Sequence, residues 1–140
     1  MNVYVLMLLA ALATGLRTFT PLAALCWRAG NWTSIASIVF ALGELIADKL
    51  PAAPSRTQIF SLALRCCVSA YVVNAIGSAA GVALLYSVVV AIVGAVAGAY
   101  LGYGWRMKAA PAVKIPPLIA ALLEDAVAIV VAVWVFFGAH

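Results

Sequence analysis

The sequence is poor in charge and poorer in catalytic side chains. Only 9% of its 140 residues are charged, four of them acidic, and it has a single histidine, the terminal His140. A soluble domain carries about 25% charged residues. This chain, 68% hydrophobic with mean hydropathy +1.20, has too little polar side chain to cover a water-exposed surface, so its main solvent is lipid. No His-rich cluster, nucleotide-binding loop or G-x-S-x-G occurs, which speaks against an enzyme and leaves no cofactor or metal indicated. The net charge of +4 includes no basic run, and most cationic residues fall in gaps between apolar segments, which argues against nucleic acid. Cys26, Cys66 and Cys67 are odd in number and lack C-x-x-C spacing; they read as small buried hydrophobes.

What the sequence has in abundance is apolar runs. A spanning helix needs about 20 such residues. Five segments qualify, at 3–28, 33–50, 58–76, 82–103 and 117–138, which predicts an all-α polytopic transmembrane bundle in one domain. The first lacks the positive flank of a signal peptide and is followed by more apolar segments, so it reads as a retained membrane segment. Asn31-Trp32-Thr33 fits a glycosylation sequon by chance; Thr33 suits a helix N-cap and Trp32 an interfacial anchor. Ser55-x-x-Gln58 fits a capping box that starts the third helix near Arg56, and residues 77–81 suit a tight turn. Pro117 suits the first residue of the fifth helix.

Loop charges set orientation. Lys49, Arg56, Arg106, Lys108 and Lys114 fall on one side and only Arg28 on the other. The positive-inside rule therefore places loops 49–57 and 104–116 in the cytoplasm of a bacterial inner membrane, with the C-terminus outside. The N-terminus is inside if segment 3–28 crosses once and outside if it folds back.

Six charges lie within or beside the spans: Arg17, Glu44, Asp48, Arg65, Glu124 and Asp125. Each costs about 2.5–3.5 kcal/mol at the bilayer centre on insertion scales, so each should face protein or water and pair. At 1.5 Å per residue, Glu44, Arg65, Glu124 and Asp125 come to one level, roughly 9–13 Å from the cytoplasmic helix ends. Two readings stand. One is a structural network, with Arg65 on Glu44 or Glu124 and Arg17 on another acid. The other is a water-accessible site in which four acids against two arginines leave a negative surplus suited to a cation or proton. Asp48, beside Lys49, also suits a helix end that snorkels to water.

The stretch Gly15-Leu16-Arg17-Thr18-Phe19-Thr20-Pro21 predicts a kink or break in the first segment. Proline lacks the N–H, and its ring collides with the carbonyl four residues back, that of Arg17. Thr18, Thr20 and the Arg17 guanidinium are at hand for the freed carbonyls. Broken helices of this kind build binding sites in many transporters. An arginine-bearing segment followed by an acid-bearing helix occurs in both halves, a weak echo of an inverted repeat. Gly94, Gly98 and Gly102 form G-x-x-x-G-x-x-x-G, a spacing for close helix contact, within the chain or between subunits of a homo-oligomer. Gly77 and Gly81 repeat it.

The ordered motifs "GLRTFTPLAAL", "ELIADKLPAAPSRT" and "LLEDAVAIVVA" resemble the small bacterial membrane proteins of the domain-of-unknown-function 4126 family over nearly the whole chain. The resemblance implies a compact membrane protein. Its polar signature falls on Gly15, Arg17, Pro21, Glu44, Asp48, Lys49, Pro51, Arg56, Glu124 and Asp125, and it lends no activity. Three functions follow from the residues. The first is a transporter or channel-like protein for a cation, proton or small solute. The second is binding of an anionic lipid or lipid-linked phosphate, with Lys49 and Arg56 at the headgroup. The third is a structural assembly protein docked through the glycine face.

Overall fold

A computed structural model of the chain describes residues 2–30, 33–47 and 59–138. Among them every regular element is helical. The helices are α1 (Val3–Leu16), α2 (Phe19–Ala29), α3 (Thr33–Ala47), α4 (Ile59–Ala79), α5 (Leu84–Ala112) and α6 (Pro117–Gly138). The all-α bundle expected from the apolar runs is the fold. Three helices, α4, α5 and α6, are long and apolar enough to cross a membrane. The segment at 3–28 is two helices, α1 of 14 residues and α2 of 11, about 21 and 16 Å long, each short of a bilayer's hydrocarbon thickness. Asp48, Lys49, Pro51, Arg56, Asn31, Trp32, His140 and the capping box at 55–58 lie outside the described residues, as does the side chain of Thr33.

α1 is the centre of the bundle. It packs against α4, α5 and α6, while α2 packs on α3 and α6. The core is built from small side chains: Ala10, Ala11 and Ala91 with Met7, Val72, Val73, Val135 and Phe136. Small residues let helix backbones approach closely, and dispersion between them then replaces the hydrophobic drive that lipid cannot supply. The closest approach is α1 on α5. A Cβ built on Gly98 would sit 2.9 Å from Gly15 Cα, and one on Gly15 would sit 2.8 Å from Gly98 Cα. Gly94 faces Ala11, and Gly102 is buried one turn further on. This close helix contact is therefore made inside the chain.

The turn expected at 77–81 is a helix C-cap. Val82 N donates to Gly77 O and Gly81 N to Ser78 O, with Gly81 at φ +73°. The stretch 104–116, expected as a loop, is helical as far as Ala112. After Gly104 the helix widens into a π turn over Trp105–Ala109. Arg106 is consequently a helix residue, within reach of α6. The cysteines are free, but Cys67 is exposed on α4 and the other two are half-buried. The expectation of three buried hydrophobes fails because α4 turns Cys67 towards the outer, apolar surface.

Candidate functional site at the α1–α2 break

The chain leaves the helix at Arg17, whose backbone is extended at φ −140°, ψ 115°, and re-enters it at Phe19. Pro21 falls in the first turn of α2, where the missing N–H has no intrahelical partner to lose. A break of this kind exposes carbonyls on one side and amides on the other, and both need partners in an apolar medium.

The partners are charged side chains from other helices. On the carbonyl side, Arg65 of α4 donates through Nη1 to Gly15 O at 2.6 Å and to Leu16 O at 3.2 Å. On the amide side, both oxygens of Glu44 on α3 accept, Oε1 from Thr18 N and Oε2 from Phe19 N, each at 2.9 Å. A carboxylate on two amides of a helix start meets the positive end of that helix dipole, and a guanidinium on the last carbonyls of α1 meets the negative end. The two caps also face each other, with Arg65 Nη2 3.6 Å from Glu44 Oε1. The carbonyls of Gly15 and Leu16 are thus held by Arg65, not by Thr18, Thr20 or the Arg17 guanidinium. The reach explains the difference. Thr18 gives no side-chain cap, Thr20 lines an outer cleft with Trp27 on α2, and Arg17 points across to α6.

There the Arg17 guanidinium pairs with Asp125, 108 residues along the chain. Arg17 is 1% exposed and Asp125 5%, so this pair is fully inside the protein. Glu124, next in sequence to Asp125, points to another side and accepts from Arg106 Nε at 2.7 Å. The Trp105 indole N–H donates to Ala120 O at 3.2 Å and ties the π turn to α6.

Of the six expected charges, five lie among the described residues: Arg17, Glu44 and Arg65 meet at the break, Asp125 joins it through Arg17, and Glu124 turns aside to Arg106. Arg106 is the residue that sequence reasoning missed. Counting apolar residues ended the fourth span at 103 and put Arg106 in a loop. The signal that finds it is the continuation of helix-compatible residues up to Pro111. Its presence changes the charge balance. Among the described residues Arg17, Arg65 and Arg106 stand against Glu44, Glu124 and Asp125, one to one. Asp48, the fourth expected acid, lies outside the described residues. The lipid-headgroup reading leans on Lys49 and Arg56, which are outside the described residues, and on Arg17, which Asp125 engages.

At the far end of α2, Arg28 Nη1 donates to Phe136 O at 2.9 Å and caps the second π turn, over Trp134–Gly138. Comparison with protein-family models, curated proteins and solved structures finds no match to the chain.

Proposed function

We propose that this is a small bacterial inner-membrane transporter or channel-like protein, akin to the domain-of-unknown-function 4126 proteins it resembles. Its polar centre is the α1–α2 break, and its substrate is a cation, a proton or a small solute. One observation carries the reading. Both ends of an interrupted helix are closed by ionisable side chains borrowed from two other helices, Arg65 and Glu44. A bundle that needed only stiffness would continue the helix and satisfy those groups internally. Closing them with side chains of other helices makes the closure reversible, because moving α3 uncovers two amides beside a guanidinium. Interrupted helices with opposed dipole ends are a recurrent way of holding solutes within a membrane. The loop charges support an orientation with Lys108 and Lys114 in the cytoplasm. A bundle this thin also suits a homo-oligomer, which would use a face other than the glycines spent on α1.

Proteoliposomes loaded with a pH or ion reporter test the reading. The native protein is expected to pass protons or a common ion, and Glu44→Gln and Arg65→Gln to reduce the flux at least tenfold. Absence of flux for every ion tried, with the native protein folded, rejects it. The pairing of buried arginines with acids favours a second reading, in which the network only fixes helix register. In that case Glu44→Gln lowers thermal stability and alters no flux.

A further inference from the structure

The α1, α5 and α6 helices enclose a cleft of about 420 Å³, within the usual range of small-molecule sites. Its walls are Leu101 and Trp105 of α5, Leu123 and Val127 of α6, and Leu16 at the end of α1. Among the described residues of its lining, the ionisable one is Glu124, whose side chain is 3% exposed. Leu101, Leu123 and Val127 are each 46–63% exposed, so the cleft opens sideways through the outer apolar surface, where lipid lies, and not through a polar mouth.

We propose that this cleft binds a lipophilic cation, one with a delocalised or quaternary positive charge carried by apolar groups. Each part of the lining selects for that chemistry. Leucine and valine walls exclude a hydrated ion. A buried carboxylate repels an anion and attracts a positive charge, most strongly where water is absent. The indole of Trp105, held by its bond to Ala120 O, adds an aromatic face, and such a face attracts cations.

Without ligand, Glu124 is engaged by Arg106 Nε. Arg106 stands on the π turn and its side chain is 22% exposed, so it has a route to the surface. Binding is then an exchange, in which the incoming cation takes the carboxylate and Arg106 swings outward. Leu16 links the cleft to the break, since it lines the cleft while its carbonyl is held by Arg65. A ligand in the cleft therefore touches the residue at which α1 ends.

The inference rests on the transport reading for its purpose, but its test measures binding alone. Tetraphenylphosphonium is titrated into the purified full chain by calorimetry, with tetraphenylborate, of like shape and opposite charge, as comparison. Saturable binding of the cation is expected, with tetraphenylborate at least tenfold weaker. Glu124→Gln should lose at least tenfold in affinity. Leu123→Trp, which fills the cleft and keeps the carboxylate, should lose as much. Arg106→Gln, which removes an internal competitor, should bind about three- to tenfold more tightly. Thermal unfolding of each variant checks that it is folded. Equal binding of the two probes, full affinity in folded Glu124→Gln, or weaker binding in folded Arg106→Gln overturns the proposal. So does an anionic phospholipid, found by native mass spectrometry, that is lost in Arg106→Gln. Flux without binding rejects this inference and leaves the transport reading standing; binding without flux does the reverse.

Discussion

Arg17 and Asp125 are each at most 5% exposed, and their pairing joins the break in the first segment to the middle of the last helix. Removing one partner of such a pair weakens the compensation of a charge in a medium that cannot solvate it, at a cost of up to about 3–5 kcal/mol. Arg17→Met and Asp125→Asn are therefore each expected to lower the thermal unfolding midpoint sharply in detergent. The double variant Arg17→Met/Asp125→Leu should recover most of the loss, because two apolar side chains of similar volume remove both desolvation costs. If the double variant is as unstable as the sum of the singles, the pair is not the reason for the burial. At this scale the sequence was informative about which residues are buried charges but not about who pairs with whom. Arg65 on Glu44 was one of two alternatives, and Arg17 on Asp125 was one of several. Pairing depends on helix rotation, and the sequence patterning of a helix apolar on all sides does not record which face turns inward.

Among the elements, the α1–α5 contact sets how closely everything else can approach. Gly15 and Gly98 lie backbone to backbone, so a side chain on either has to separate the helices. Gly98→Leu is expected to destabilise the protein by several kcal/mol, in the manner of an overpacked core, and to loosen Arg65 from Gly15 O on the same turn. Gly104 has open space around it, and Gly104→Ala should be close to neutral. Thermal melts of the two variants separate packing from propensity; comparable losses would show that the contact is not tight. The glycine spacing in the sequence was a sound guide to a close contact, because only small residues permit one. It did not single out the partner, since the Ala11-x-x-x-Gly15 pair of α1 has counterparts such as Ala128-x-x-x-Ala132 in α6. Element ends were legible where proline or glycine forces them, at Pro117 and Gly81; past residue 103 the helix-compatible run to Pro111 marks a continuing helix, but not its widening into a π turn. The latter costs hydrogen-bond geometry but leaves no mark in composition.

For the whole molecule, the long apolar runs pointed to an all-α bundle suited to lipid, because a barrel strand is about 9–11 residues of alternating polarity whereas these runs are about 20 residues and apolar throughout. The orientation argued from Lys108 and Lys114 is checked by single cysteines at those positions in a cysteine-free background. Labelling by a membrane-impermeant reagent is expected only after the cells are opened, and labelling of intact cells would reverse the assignment. The spacing of the central ion pair also bears on how the protein is made. Arg17 leaves the ribosome 108 residues before Asp125. Until α6 exists, the first segment carries an arginine that lacks its bond to Asp125, so settling it in the bilayer is more costly. The N-terminal segment should accordingly be the last part to become fixed in the membrane, although it is the first part synthesised. Nascent chains stopped before α6 are expected to leave a cysteine at position 18 open to water-soluble reagents, and completed chains to bury it. Biogenesis of this protein then runs from the end of the chain back to its beginning, and a lesion in the last helix would be felt first at the break near residue 17.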